Sequence, residues 1–263
     1  DQSAWYDNAI VYRNWTGQII RYNTVVTTTA TFTVGDIIGI LLDETAGIVT
    51  SGLATPGWIN TTGLYNGAAW SSTATIPQNR GVYGAAGDQS QFTVYGGFNP
   101  TNISTTNEYA AGAWTTGGNM GSISGAETNG WGNTTTAYAN KGQTTEEYDV
   151  ASNTWSAKAN STVNLTRQGD SNTSLETNGL RFGGGIPAST GATEYYDSTG
   201  DTWSSLSSMS QPRAYPAGAG TTTSALAFGG TSTPAFTPIY NNTEEWTGTT
   251  SGGTFGTNFN FDS

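Results

Sequence analysis

Cysteine and histidine are both missing from this chain of 263 residues. Their absence excludes disulfides, thiolate nucleophiles, imidazole bases and nearly every transition-metal site. Positive charge is scarce as well: eight Lys and Arg stand against 19 Asp and Glu, for a net charge of −11. So few cations cannot neutralise a phosphate backbone, which argues against a nucleic-acid partner. No apolar run approaches the roughly 18 residues of a membrane span, and the longest, "IIGILL" (37–42), is strand-sized. No secretory or transit pattern is readable, and a start at Asp1 fits a processed chain or a piece of a longer one. Only 10% of residues are charged while 12% are aromatic, and 36 are glycine. That balance is not the disordered signature; it suits an all-β protein with many tight turns.

What the chain does have is one phrase, repeated. "TTEEYDVASNTW" (144–155) returns in fragments as "TTNEYAAGAW", "ATEYYDSTGDTW", "TTGLYNGAAW" and "NNTEEW". Its strand-ending aromatics are Tyr22, Tyr65, Tyr109, Tyr148, Tyr196 and Trp246, at steps of 43, 44, 39, 48 and 50 residues. A period of 40–50 is that of a four-stranded propeller blade. A second aromatic follows by five or seven residues at Trp70, Trp114, Trp155 and Trp203, across hairpin turns such as Asn66-Gly67. Upstream lie short apolar strands ending in a glycine pair, "FTVYGGF" (92–98), "GLRFGGG" (179–185) and "ALAFGG" (225–230). "TTAYAN" (135–140), "GIVTSG" (47–52) and "AIVYRN" (9–14) are degenerate copies, and small-residue strands such as "GVYGAAG" and "AYPAGAG" precede them. Each unit thus has four strands, with units ending near residues 30, 74, 118, 159, 207 and 250.

The string "MSQPRAYPAGAG…ALAFGG…TEEW" resembles a kelch repeat, with Arg80 and Arg213 at the kelch arginine and Arg167 a looser match. The Thr/Gly-rich texture is similar to kelch-like proteins of tailed bacteriophages. The resemblance implies a single β-propeller over 1–263. The strand count favours six blades, with 251–263 as a closing strand beside Val11 and Tyr12. The alternative is five blades plus an N-terminal arm. Closure would remove exposed sheet edges.

Because they recur once per unit, the Tyr/Trp series and Arg80 and Arg213 read as packing and structural groups rather than a site. In carboxylate pairs such as Glu146-Glu147 and Glu244-Glu245, alternation on a strand predicts one solvated member and one bonded to a neighbouring blade. "YDSTGDTW" nearly spells the Asp-box of sialidase propellers, but only six arginines exist and two hold the kelch position. Galactose-oxidase-like copper chemistry is excluded, since it needs His and a Tyr–Cys crosslink. No cofactor or metal is expected, and no loop has a calcium-like ligand spacing. The second-to-third loops vary most and carry Trp15, Trp58, Phe98, Phe236 and Tyr240. Variable aromatic loops on a rigid scaffold suit a binding surface, though these rings could equally pack their own loops. Trp131 is expected in a first-to-second loop on the opposite side. The leading expectation is a non-enzymatic virion or extracellular surface protein for decoration or attachment. Its partners would be other virion or surface proteins, or a host glycan or receptor. The second is a secreted carbohydrate-binding propeller, and the third an atypical glycoside hydrolase.

Overall fold

The computed structural model describes residues 10–13, 18–21, 24–28, 48–50, 62–65, 69–81, 83–171, 176–185, 188–232, 238–249 and 251–256. They hold no helix and form six antiparallel sheets, each a meander. Sheet one pairs β1 (Ile10–Arg13), β2 (Gln18–Arg21) and β3 (Thr24–Thr28), and sheet two pairs β4 (Ile48–Thr50), β5 (Thr62–Tyr65) and β6 (Trp70–Thr73). Sheet three has β7 (Gly84–Gly87), β8 (Gln91–Tyr95), β9 (Thr105–Ala110) and β10 (Ala113–Asn119). Sheet four has β11 (Asn129–Gly132), β12 (Thr136–Lys141), β13 (Thr144–Asp149) and β14 (Thr154–Lys158). Sheet five has β15 (Gly169–Asp170), β16 (Gly179–Phe182), β17 (Thr193–Asp197) and β18 (Thr202–Leu206). Sheet six has β19 (Ala217–Gly220), β20 (Ser224–Phe228), β21 (Thr243–Thr249) and β22 (Gly252–Phe255). First strands of successive sheets neighbour one another, β7 with β11, β11 with β15 and β15 with β19. The arrangement is propeller-like.

The repeated phrase is a set of inter-sheet contacts. Tyr and Trp face each other across the third and fourth strands, as in Tyr109–Trp114, Tyr148–Trp155 and Tyr196–Trp203. Each Trp then reaches the preceding sheet. Its indole Nε1 donates to a threonine three residues before that sheet's aromatic: Trp114 to Thr62 (3.2 Å), Trp155 to Thr106 (2.8 Å) and Trp203 to Thr145 (3.1 Å). All three threonines are buried. The indoles therefore bury apolar area and satisfy their polar handle at once. The glycine pairs ending β8, β16 and β20 all have positive φ, 68° and 94° at Gly96 and Gly97, for example. A Cβ there would enter the left-handed region at a cost. First strands are small because neighbours press on them: a Cβ on Gly130 would collide with the Tyr95 hydroxyl and the Tyr138 carbonyl.

Three expectations change. Trp131 lies within β11, not in a loop, and is buried, stacked on Tyr138 at 5.4 Å and 7°. Trp70 is 49% exposed, unlike its half-buried or buried counterparts Trp114, Trp155 and Trp203. Of the tail, Gly252–Phe255 pairs with Thr243–Thr249 as the fourth strand of sheet six, not with the strand of Val11 and Tyr12. Phe255 takes the Trp place opposite Trp246. Residues 257–263 lie outside the described residues, as does Tyr22.

Candidate functional site

Second-to-third and fourth-to-first connections of a four-stranded meander emerge at the same end of every sheet. Of the aromatics expected at this end, Trp15, Trp58 and Phe236 lie outside the described residues. Phe98 is half-buried, its backbone bridged to Gly81 (2.9 and 3.1 Å). Tyr240 is half-buried with Arg213 over its ring at 5.5 Å, and the adjoining Ile239 is 68% exposed. These loops are held at their roots by buried polar groups. Arg80 donates to the carbonyls of Gly96 (3.1 Å) and Thr105 (2.9 Å) and to Asn107, and Arg213 donates to Gly229 (2.9 Å), Asn242 (3.0 Å) and Glu244 (2.8 Å). Both guanidiniums tie the two ends of one loop together. Among the described residues Arg80 has no carboxylate partner, and burial pushes its pKa down to about 10.

Glutamates two residues before the strand-ending aromatic complete the roots. Glu146 accepts from the N–H groups of Gly121 (3.1 Å), Ser122 (2.7 Å) and Ile123 (3.2 Å), holding the connection that enters its sheet. Glu194 does the same for Thr162 (2.9 Å) and Val163 (3.2 Å), and Glu244 for Ser210 (2.6 Å) and Gln211 (3.1 Å). Glu194 is also paired with Arg181, on β16 directly opposite. Arg181 further donates to Asn140 and to the carbonyls of Gly142 (3.0 Å) and Val163 (2.7 Å). Burial lowers its pKa, and the Glu194 charge opposes that shift. Arg167 does not share the position of Arg80 and Arg213; Leu165, buried, stands there in sheet five.

Arg167 instead belongs to a cluster that sequence reading missed. Glu127, Arg167 and Tyr215 each sit two residues before a first strand, and all three are non-glycine residues at positive φ, 65°, 61° and 55°. Arg167 Nε donates to Glu127 Oε1 at 2.7 Å, the Tyr215 hydroxyl donates to the same oxygen at 3.4 Å, and the guanidinium lies over the Tyr215 ring at 5.0 Å. Glu127 leads into sheet four and Tyr215 into sheet six, so their contact skips a sheet. Only groups near the axis of a propeller-like arrangement can do that. The three side chains are half-buried. Partial burial raises the Tyr215 phenol, Arg167 pulling against it and Glu127 adding to it.

No family model matches the chain, and no curated protein matches it by sequence. Among solved structures it is similar to one titled "Structure of YjhT". The TM-score is 0.54 at 12% identity, over 84% of this chain and 97% of that one. At that identity the likeness shows fold alone.

Four further phenols lie on strands, Tyr95 on β8, Tyr138 on β12, Tyr148 on β13 and Tyr196 on β17. Burial first, then the neighbouring carboxylate, raises Tyr138 beside Glu147, Tyr148 beside Glu108 and Tyr196 beside Asp201, and burial raises Tyr95 furthest from solvent. A folded pKa above the unfolded value of 10.0 gives stability that is whole below that pH and lost as pH rises through the raised value. Ultraviolet titration should therefore show these phenols ionising only together with alkaline unfolding. Smooth ionisation near the ordinary value with the fold intact would contradict the burial.

Proposed function

We propose that the chain is a non-enzymatic, kelch-like propeller displayed on a virion or other surface, where it serves decoration or attachment through its loop-bearing face. The observation that carries this reading is the use made of the buried carboxylates. Glu146, Glu194 and Glu244 are 0–3% exposed and their oxygens are engaged by backbone N–H groups or arginine. Groups so engaged hold loops in place. Among the described residues no group of three acidic side chains is gathered to hold a metal ion. A loop face held at its roots, with an exposed Ile239 beside Tyr240, suits recognition. The net charge of −11 favours solubility at a crowded surface.

In this reading six sheets close into a ring, and sheet one fills the gap between sheet six and sheet two. Support comes from exposed apolar side chains on sheets six and two. Leu226 and Phe228 on β20 are 42% and 38% exposed, whereas their counterparts Leu180 and Phe182 in sheet five are buried. Across the gap stands the half-exposed Trp70, whose counterparts each pack on the preceding sheet. One sheet between them would cover both.

Antibody labelling of intact particles or cells from the source tests display. Labelling without lysis is the expected result, together with no turnover of sialosides, galactosides or peptides. Labelling that appears only after lysis would overturn the reading. A second reading, a secreted carbohydrate-binding propeller, is favoured by the charged and aromatic cluster at the axis.

A further inference from the structure

We propose that Glu127, Arg167 and Tyr215 form a binding site at the axial mouth for a neutral saccharide, gripped through a vicinal diol. The proposal rests on the reading of this face as the recognition face. Three observations carry it. The first is strain: non-glycine residues in the left-handed region cost stability, and such residues gather where geometry serves a task. Here three equivalent positions, in three successive connections, keep Glu, Arg and Tyr where glycine would be easier. Two of the three members are also tied through the backbone, Tyr215 N–H donating to the Arg167 carbonyl at 2.8 Å.

The second observation is unused hydrogen-bonding capacity. Glu127 Oε1 takes both bonds of the cluster, and Oε2 takes none among the described residues. Arg167 spends only Nε, so both Nη groups donate to no described residue. A free carboxylate oxygen beside a free guanidinium fork offers one acceptor and adjacent donors. Two neighbouring hydroxyls of a sugar ring match that pair, one donating to Glu127 and the other accepting from Arg167. The third is charge. Glu127 neutralises Arg167 at 2.7 Å and the chain as a whole is acidic, so an anionic ligand is disfavoured and a neutral one is not. The Tyr215 ring covers one face of the guanidinium and shields it from water.

The test is saturation-transfer NMR of the whole chain with methyl glycosides of glucose, galactose and mannose, and with glucuronate as the anionic control. The parent should bind at least one neutral glycoside more strongly than glucuronate. Arg167→Gly should weaken that binding by on the order of tenfold or more, the loss expected for charge-assisted hydrogen bonds. Its thermal midpoint should equal or exceed the parent's, because glycine relieves the strain. Glu127→Gln, which keeps the size but not the charge, should weaken binding as well. Failure of every neutral glycoside to bind, preference for glucuronate, or unchanged binding by a folded Arg167→Gly variant would each overturn the proposal. None of these results touches surface display, which antibody labelling decides separately.

Discussion

Arg181→Ala should destabilise the protein by about 3–5 kcal/mol, the cost of stranding a buried charge. Arg181 is 1% exposed and Glu194 0%, so neither charge has water to fall back on once its partner is gone. The loss spreads further, because Arg181 also satisfies the carbonyls of Gly142 and Val163 and the Asn140 amide oxygen. Urea unfolding of the single variants should show the full penalty. The double variant Arg181→Met with Glu194→Gln should recover a large part of it, since no unpaired charge remains and glutamine can still accept from the Thr162 and Val163 N–H groups. A double variant as unstable as either single one would mean that the pair is worth more than its replacement, against the usual balance of buried ion pairs.

Trp131→Ala should cost about as much, again about 3–5 kcal/mol, as the removal of a large ring from a close-packed interior. Trp131 is stacked on Tyr138 and meets Tyr196 and Trp203 edge-on, each at 5.7 Å, while its indole donates to the Thr177 carbonyl at 2.9 Å. Gly179 touches the ring so closely that no Cβ fits between them. The cavity would open between sheets four and five, among the rings of Tyr138, Tyr196 and Trp203. Trp131→Phe should recover part of the loss but not the Thr177 bond. A shift in thermal midpoint no larger than for an exposed position would show that this cluster is not a core.

Much of the sheet interior was legible because its signal is periodic and carried by rare residues. Tyr148 and Trp155 announce their pairing by spacing alone. The threonine latch was printed in the same phrase, but Thr is so common in this chain that Thr106 and Thr145 did not stand out. Trp131 was misplaced because "NGWG" has the composition of a turn. First strands here are glycine-rich for another reason, the pressure of neighbouring side chains on positions such as Gly130. Phe255 was assigned to an orphan strand because its turn, Thr249–Gly252, lacks the Asp and Asn of hairpins such as Asp149–Thr154 and Asp197–Thr202, and its ring is not Trp. Arg181 gave no signal, since the equivalent places in other sheets hold Val94, Ala139 and Ala227. The mouth cluster was invisible for a deeper reason. Positive φ at Glu127, Arg167 and Tyr215 is imposed by the connections, and no residue preference announces it.

Ring closure can be measured directly, and the absence of cysteine from the chain makes the measurement clean. One cysteine would replace Leu226 on β20. A second would be moved one position at a time along Ile10–Arg13 and Gln18–Arg21 in sheet one, followed by mild oxidation. If sheet one packs between sheets six and two, intramolecular crosslinks should form at alternate positions of a strand, because successive side chains point to opposite faces. No crosslink at any position, or crosslinks only between molecules, would contradict a closed ring and favour five blades with a separate N-terminal arm.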